Sequence, residues 1–265
     1  MNEHPAHGEL RPVTEHASVL LANNPSPMTL EGTNSWVVRA PGSADCVVID
    51  PGPEDTEHLQ RLADCGPVSL VLLTHHHGDH TEGVAEFRKL TGAPVRALDP
   101  ELCAGAEPLA DDEVVSAAGV RLRVLATPGH TRDSVCFALE QSAEPVVFTG
   151  DTVLGRGTTV IADPDGHLGS YLSSLRRLAE LPPGVRALPG HGPERPDVRV
   201  AAVAYLQHRE QRLDQVRAAA RQLDGEITAR RIVEVVYADV DRSVWPAAEW
   251  SVRAQLTYLR ETGEL

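Results

Sequence analysis

Apolar and polar residues alternate along Val120-Arg-Leu-Arg-Val-Leu125, the period-two signature of a half-buried strand. The apolar run Val68 to Leu73 and the shorter segments Val47-Val48-Ile49, Pro145-Val146-Val147 and Val185-Arg-Ala-Leu188 predict further strands, each closed by turn residues. Helical spacing is found between them, near Thr56 to Ala63, Gly83 to Leu90 and Ser170 to Leu181. In the last of these, Tyr171, Leu172, Leu175 and Leu178 fall on one face, which places Tyr171 in the core rather than in a site. Strands alternating with helices from about residue 17 to 195 predict a layered α/β sandwich.

Beyond Glu194-Arg195-Pro196-Asp197 the pattern is wholly helical. Val203, Leu206, Leu213, Val216, Ala220 and Leu223 recur at helical intervals and predict one long amphipathic helix. Thr228 is placed to cap a second helix, Ala229 to Tyr237. Trp245 to Arg260 forms a third, with Trp250, Leu256 and Leu259 offered to a core. The expected organisation is therefore a polar leader over 1–16, a catalytic domain over 17–197 and a small helical domain over 198–265.

The predicted strands end in potential metal ligands. After Val68 to Leu73 comes Thr74-His75-His76-His77-Gly78-Asp79-His80, in which alternate residues of an extended segment put His75 and His77 on one face. That spacing offers two imidazoles to one metal, while Asp79 and His80 are available to a second; His76 falls outside the ligand spacing and is expected to point away. Further strand ends carry Thr127-Pro128-Gly129-His130-Thr131, Phe148-Thr149-Gly150-Asp151-Thr152 and Leu188-Pro189-Gly190-His191-Gly192. A lone Pro-Gly-His is usually a plain turn; the recurrence of such loops argues for an assembled site. Imidazole with carboxylate is the donor mix of catalytic zinc.

This set of loops resembles the metallo-β-lactamase fold superfamily over about residues 25 to 195, including Thr33-Asn34-Ser35-Trp36-Val37-Val38 and Val47-Val48-Ile49-Asp50-Pro51-Gly52. The resemblance implies a four-layer αββα sandwich with two divalent cations, zinc by expectation. One would be held by His75, His77 and His130 and the other by Asp79, His80 and His191, with Asp151 bridging. Two such cations lower the pKa of bound water to roughly 7, so metal-bound hydroxide is the expected nucleophile, with Asp79 as the catalytic group that orients it or relays its proton.

Several branches of the superfamily fit poorly. A di-iron redox site would carry Glu where this chain has His77, and zinc β-lactamases replace the bridging Asp with Cys or Ser. The roughly 40 residues between Asp151 and His191 are too few for the inserted domain of the large RNA-processing members. The Gly-Leu-Pro-Gly run of the tRNA 3′-processing enzymes is missing after Gly83. Pro128-Gly129-His130-Thr131-x-x-Ser134 and Thr149 to Val160 are similar to a short subfamily ending in a winged helix. That subfamily contains a single-stranded-RNA endonuclease and thioesterases of acyl-carrier conjugates. Gly155 and Gly157 would let backbone approach a ligand, and the hydroxyls of Thr158 and Thr159 are expected to be exposed for substrate binding. The three C-terminal helices resemble a winged helix cut short at its wing.

Phosphodiester cleavage of single-stranded RNA is the leading expectation, and ester or thioester hydrolysis of a small conjugate or acyl carrier the alternative. Composition weighs on that choice. A net charge of −14 argues against a large nucleic-acid footprint and against double-stranded partners. Between Tyr205 and Arg231 six Arg face four acids, a modest excess that ion pairs along a helix explain as well as RNA does. No apolar run approaches the ~18 residues of a membrane span, and Met1 to Arg11 has no signal pattern, so a reducing cytoplasm is expected with Cys46 and Cys136 as core thiols. His4, His7, His16 and His58 are expected to be solvated.

Overall fold

In the computed structural model, residues 7–140, 142–239 and 241–265 are described; His4 lies outside them. The first sheet runs in chain order: β1 (Arg11–Pro12), β2 (Ala17–Leu21), β3 (Asn34–Val38), β4 (Cys46–Ile49), β5 (Val68–Leu72) and β6 (Val95–Arg96). It is antiparallel from β1 to β4 and parallel from β4 to β6. The second sheet orders β7 (Val114–Ala117), β8 (Val120–Ala126), β9 (Val135–Leu139), β10 (Val146–Gly150) and β11 (Arg186–Pro189) as an antiparallel meander with β11 added parallel to β10. The outermost strand, β1, comes from the segment expected to be a solvated leader.

Alternation along each strand divides the apolar residues between layers. Val47 and Ile49 of β4, Leu70 and Leu72 of β5, and Val146 and Phe148 of β10 meet between the sheets, where Trp36 sets its edge against Phe148 at 5.6 Å between ring centroids. Cys46 and Val48 face the other way, against α1 (Thr56–Ala63) and, beyond α2 (Gly78–Thr81), α3 (Val84–Thr91), through Leu59, Leu62 and Phe87. Val147 and Cys136 likewise pack outward on α4 (Leu168–Ala179) through Tyr171, Leu175 and Leu178. Helix, sheet, sheet, helix is the expected four-layer order.

The tail extends the fourth layer. Helix α5 (Val198–Gln222) starts at Asp197, whose carboxylate caps Arg199 and Val200, and lies along α4; α6 (Ala229–Val236) starts at Thr228, whose hydroxyl accepts from the Arg231 amide, and α7 (Trp245–Glu261) packs on α6. One cluster runs from Val147 through Tyr205 and Leu213 to Val252 and Leu259, so the tail shares its core with the sandwich. Two apolar residues read as core are not: Val203 and Trp250 are 40% and 45% exposed, because each lies on the side of its helix away from that cluster. Among the described residues no helix is long and apolar enough to cross a membrane.

Candidate metal centre

The histidine loop changes conformation midway. Thr74 to His77 follows β5 as irregular backbone, and His77 (φ −59°, ψ 142°) stands before the single turn of α2, which carries Asp79 and His80 and leaves the His80 ring 4.3 Å from that of His75. The neighbouring strand ends close over them. His130 follows β8, Asp151 follows β10 and His191 follows β11, so the second sheet presents its ligands to the loop of the first.

Two glycines show why these loops read Pro-Gly-His. Gly129 sits at φ +137°, and a Cβ there would stand 2.3 Å from the backbone nitrogen of Tyr171. A Cβ on Gly190 would meet the Asp151 carboxylate and the His80 ring, both at 2.7 Å.

The ligand atoms converge in two groups. His75 Nε2 and His130 Nε2 each stand 3.1 Å from His77 Nδ1. His80 Nε2 stands 3.3 Å from His191 Nε2, which is 3.0 Å from Asp79 Oδ2. Asp151 reaches both groups, 3.6 Å from His130 and 3.4 Å from His191. In each triad, His75–His77–His130 and Asp79–His80–His191, donor atoms lie within 4.8 Å of one another, and a further group of His75, His80 and Asp151 meets the same limit and joins the two.

The far side of the rings explains their orientation. His80 Nδ1–H donates to Asp50 Oδ2 at 2.9 Å, and Thr74 Oγ1–H donates to the same oxygen at 2.7 Å while it accepts from His75 Nδ1 at 3.0 Å. Asp50 thus orients one ring directly and another through Thr74. It does so from the left-handed region (φ 52°), strained for a residue with a Cβ but tolerated by Asp. His130 Nδ1–H faces Val160 O at 2.8 Å and Thr159 Oγ1 at 3.0 Å, and His191 Nδ1–H donates to Gly32 O at 3.1 Å. With these Nδ1 atoms engaged, the Nε2 lone pairs of four histidines aim at each other and at Asp151, whose buried Oδ1 has no hydrogen-bond partner. Facing acceptors around an orphaned carboxylate oxygen fit cations between them.

Electrostatics divides the two groups. Burial holds the His75 and His130 imidazoles below the ordinary histidine range, and burial with the neighbouring His130 brings His77 to about 4. Burial also opposes charge on His80 and His191. There Asp50 and Asp151 outweigh it for His80, as Asp151 and Asp79 do for His191, and both pKa values rise. Burial alone would raise Asp151, but His191 and His80 carry it well below the usual carboxylate range. One group is neutral and ready to donate, while the other stabilises positive charge.

Some expected contacts are different. Thr159 is buried with its hydroxyl on His130 and cannot be an exposed substrate donor, whereas Thr158 is half-exposed. His58 is buried rather than solvated and pairs with Ser35 Oγ at 2.9 Å; burial brings its pKa to about 4. His76 turns away from the two groups, as its spacing suggests, with Nδ1 on the buried Asp133 carboxylate at 2.7 Å. Sequence reasoning misses Asp50 and Asp133, although Asp50, an acid at a strand end, obeys the rule that finds Asp151.

Two sheets between helical layers, with imidazoles and carboxylates gathered where strand ends meet, define a metal-dependent hydrolase of the metallo-β-lactamase fold. The chain belongs to the Metallo-beta-lactamase superfamily, which residues 28–191 match, and residues 228–264 match the Beta-lactamase associated winged helix domain. It is similar to the Beta-lactamase-like protein 2 homolog of Drosophila melanogaster, 34% identical over 269 residues that cover 93% of this chain and 88% of the relative. It is also similar to the Atrochrysone carboxyl ACP thioesterase of Aspergillus chevalieri, 32% identical over 251 residues, 89% of this chain and 78% of that one. Among solved structures, a metallo-beta-lactamase family protein of Thermus thermophilus is 26% identical with a TM-score of 0.76 over 94% of either chain.

Proposed function

We propose that this hydrolase cleaves an acyl thioester of a carrier or small conjugate, using two divalent cations, zinc in the first instance. His75, His77 and His130 would hold one cation and Asp79, His80 and His191 the other, with Asp151 between them. Two such cations, when bound, supply Lewis acidity and water that ionises at roughly pH 7. Asp50 keeps His80, and through Thr74 His75, turned so that Nε2 faces the centre. Asp79 is 28% exposed at its side chain, so it can take the proton that leaves the attacking water and pass it to the departing sulfur. Thr158 is half-exposed, and its hydroxyl would be available to a substrate.

The observation that carries the substrate choice is how the tail uses its arginines. Arg217 is held by Glu210, Asp214 and Glu264, and Arg230 by Glu234 and Glu249. Arg231 donates to the carbonyls of Asp224 and Glu226, Arg212 to Gln215, and Arg209 is buried. A strand of RNA needs cations free to replace its counterions; of the six arginines from Arg209 to Arg231 these five have other partners or are buried, which leaves Arg221 exposed on a chain of net charge −14. The likeness to an acyl-carrier thioesterase points the same way.

The deciding experiment offers the metal-loaded protein acyl-carrier thioesters and single-stranded RNA oligomers over a salt series. Thioester turnover nearly indifferent to salt is expected. Salt-sensitive RNA cleavage without thioester turnover would overturn the reading in favour of a nuclease.

A further inference from the structure

The loop that leaves Asp151 is held by α4, by the segment after β11 and by the tail helix α5. Tyr171 of α4 donates its hydroxyl to Thr152 O at 2.8 Å, and Arg195 Nε donates to Leu154 O at 2.8 Å. Tyr205 of α5 accepts from the Leu154 amide at 3.2 Å, and Arg209, one turn further on, donates through Nη2 to Thr159 O. Arg209 is the unusual member. It is 4% exposed, and among the described residues no carboxylate pairs with it: its guanidinium lies 5.4 Å from the centre of the Tyr171 ring, and its Nε is buried without a partner. A charge is rarely buried without a counterion. Here a cation has been placed between the Tyr171 side chain and one backbone carbonyl, that of Thr159.

That carbonyl belongs to the residue whose side chain touches the metal centre. Thr159 Oγ1 and the next carbonyl, Val160 O, are the two oxygens facing His130 Nδ1, at 3.0 and 2.8 Å. Both are acceptors for the ring proton, so together they fix the proton on Nδ1 and leave the Nε2 lone pair facing His77. Neither oxygen is in a helix or strand; Thr158 to Ile161 is irregular backbone. An irregular segment keeps its place only through such contacts.

We infer that Arg209 is a positioning residue for His130: from the tail helix α5 it clamps the Thr159–Val160 segment and thereby sets the tautomer and direction of the ring. The inference rests on the proposed reading of His130 as a metal ligand for its consequence, but the clamp itself can be read without metal. The tail then acts on the centre through a side chain rather than by covering it.

The test compares Arg209→Met, which keeps the stem and removes the donors, with Arg209→Lys, which keeps a charge and one donor direction. Tyr205→Phe, which loosens the same loop at Leu154, is the control. Long-range ¹H–¹⁵N spectra of the histidine rings in metal-free protein report the tautomer directly. The parent should show His130 protonated at Nδ1, Arg209→Met a mixture of tautomers, and Tyr205→Phe the parent pattern. In metal-loaded protein, chelator competition should release one of the two cations about 10- to 100-fold more readily from Arg209→Met, the range for a group that orients a ligand, and less so from Arg209→Lys. A His130 spectrum and metal release identical to the parent in Arg209→Met would overturn the clamp, as would the same result in Arg209→Gln, a neutral side chain too short to reach Thr159 O, should the methionine variant not fold. A parent protein that holds no tight metal while Arg209→Met scrambles the His130 tautomer would refute the metal reading and keep the clamp.

Discussion

The two halves of the candidate centre use the same ring in opposite electrostatic settings. His75, His77 and His130 are kept neutral chiefly by burial, with neighbouring histidines adding to it, so their lone pairs are free at neutral pH. His80 and His191 lie among Asp50, Asp79 and Asp151, which stabilise a proton on them against the effect of burial. An environment that stabilises a proton also stabilises a dication. The first half would therefore hold a metal by donor geometry and the second by charge, and perturbations should separate them.

The largest effect is expected where the halves share a group. Asp151→Ala removes the carboxylate that stands within 3.6 Å of His130 and 3.4 Å of His191. It should weaken both cations and lower turnover by more than ~100-fold, beyond the range of outer groups that only orient a ligand. Elemental analysis with two full equivalents retained in that variant would break the bridge assignment.

Asp50→Asn should split the halves. The carboxylate receives His80 directly and His75 only through Thr74. A loss of about 10- to 100-fold in affinity is expected for one equivalent, with a smaller loss for the other, measured by chelator titration. Equal losses would mean that the Thr74 relay matters as much as the direct bond.

Titration should separate them again. A metal must displace whatever proton its ligands hold, and the raised pKa values of His80 and His191 mean that protons return there first as pH falls. His77, at about 4, and its neutral neighbours take up protons only in more acidic solution. Equilibrium dialysis from about pH 8 down to about pH 4.5, a range over which histidines with ordinary or raised pKa values take up protons, should therefore show two equivalents and then one, with the neutral half still loaded at the acidic end. Release of both together would indicate that the halves act as one unit.

What the chain reveals before folding follows the same division. Period-two and helical spacing depend on near neighbours, so the helix Thr56–Ala63, the cap at Thr228 and the inward face of Tyr171 are all legible. The gathering of His75, His77, Asp79, His80, His130, Asp151 and His191 is legible because each stands in a strand-end loop that carries a glycine. What orients them is not. Thr159 looks like an exposed loop hydroxyl until His130, 29 positions earlier, is seen against it. Arg209 looks like one more charge on an amphipathic helix until the loop 50 residues upstream is seen to lie beneath it. His58 shows the same limit, since its partner Ser35 is brought to it by the packing of α1 on the first sheet. Patterns of burial are local, but pairings of buried polar groups depend on the completed fold.

The smallest expected effect concerns His76, and it tests whether the neutral half is drawn correctly. His76, His77 and Asp165 also bring donor atoms within 4.8 Å, so His77 could in principle serve a cation outside the centre. The geometry disfavours this. His76 Nδ1 is on Asp133 and its Nε2 lies 3.5 Å from Asp165, the arrangement of an ion pair, while His77 Nδ1 stands 3.1 Å from both His75 and His130. His76→Ala should therefore leave both equivalents of metal in place. Turnover should change by no more than about 2-fold, the scale of a partly exposed substitution worth roughly 0.5 kcal/mol or less. The orphaned Asp133 carboxylate, only 4% exposed, could make the variant less stable, so metal content and thermal midpoint must be measured on the same sample. Loss of one equivalent at an unchanged midpoint would move His77 out of the neutral half, and the contrast between the two halves would have to be redrawn around the His76–His77–Asp165 cluster.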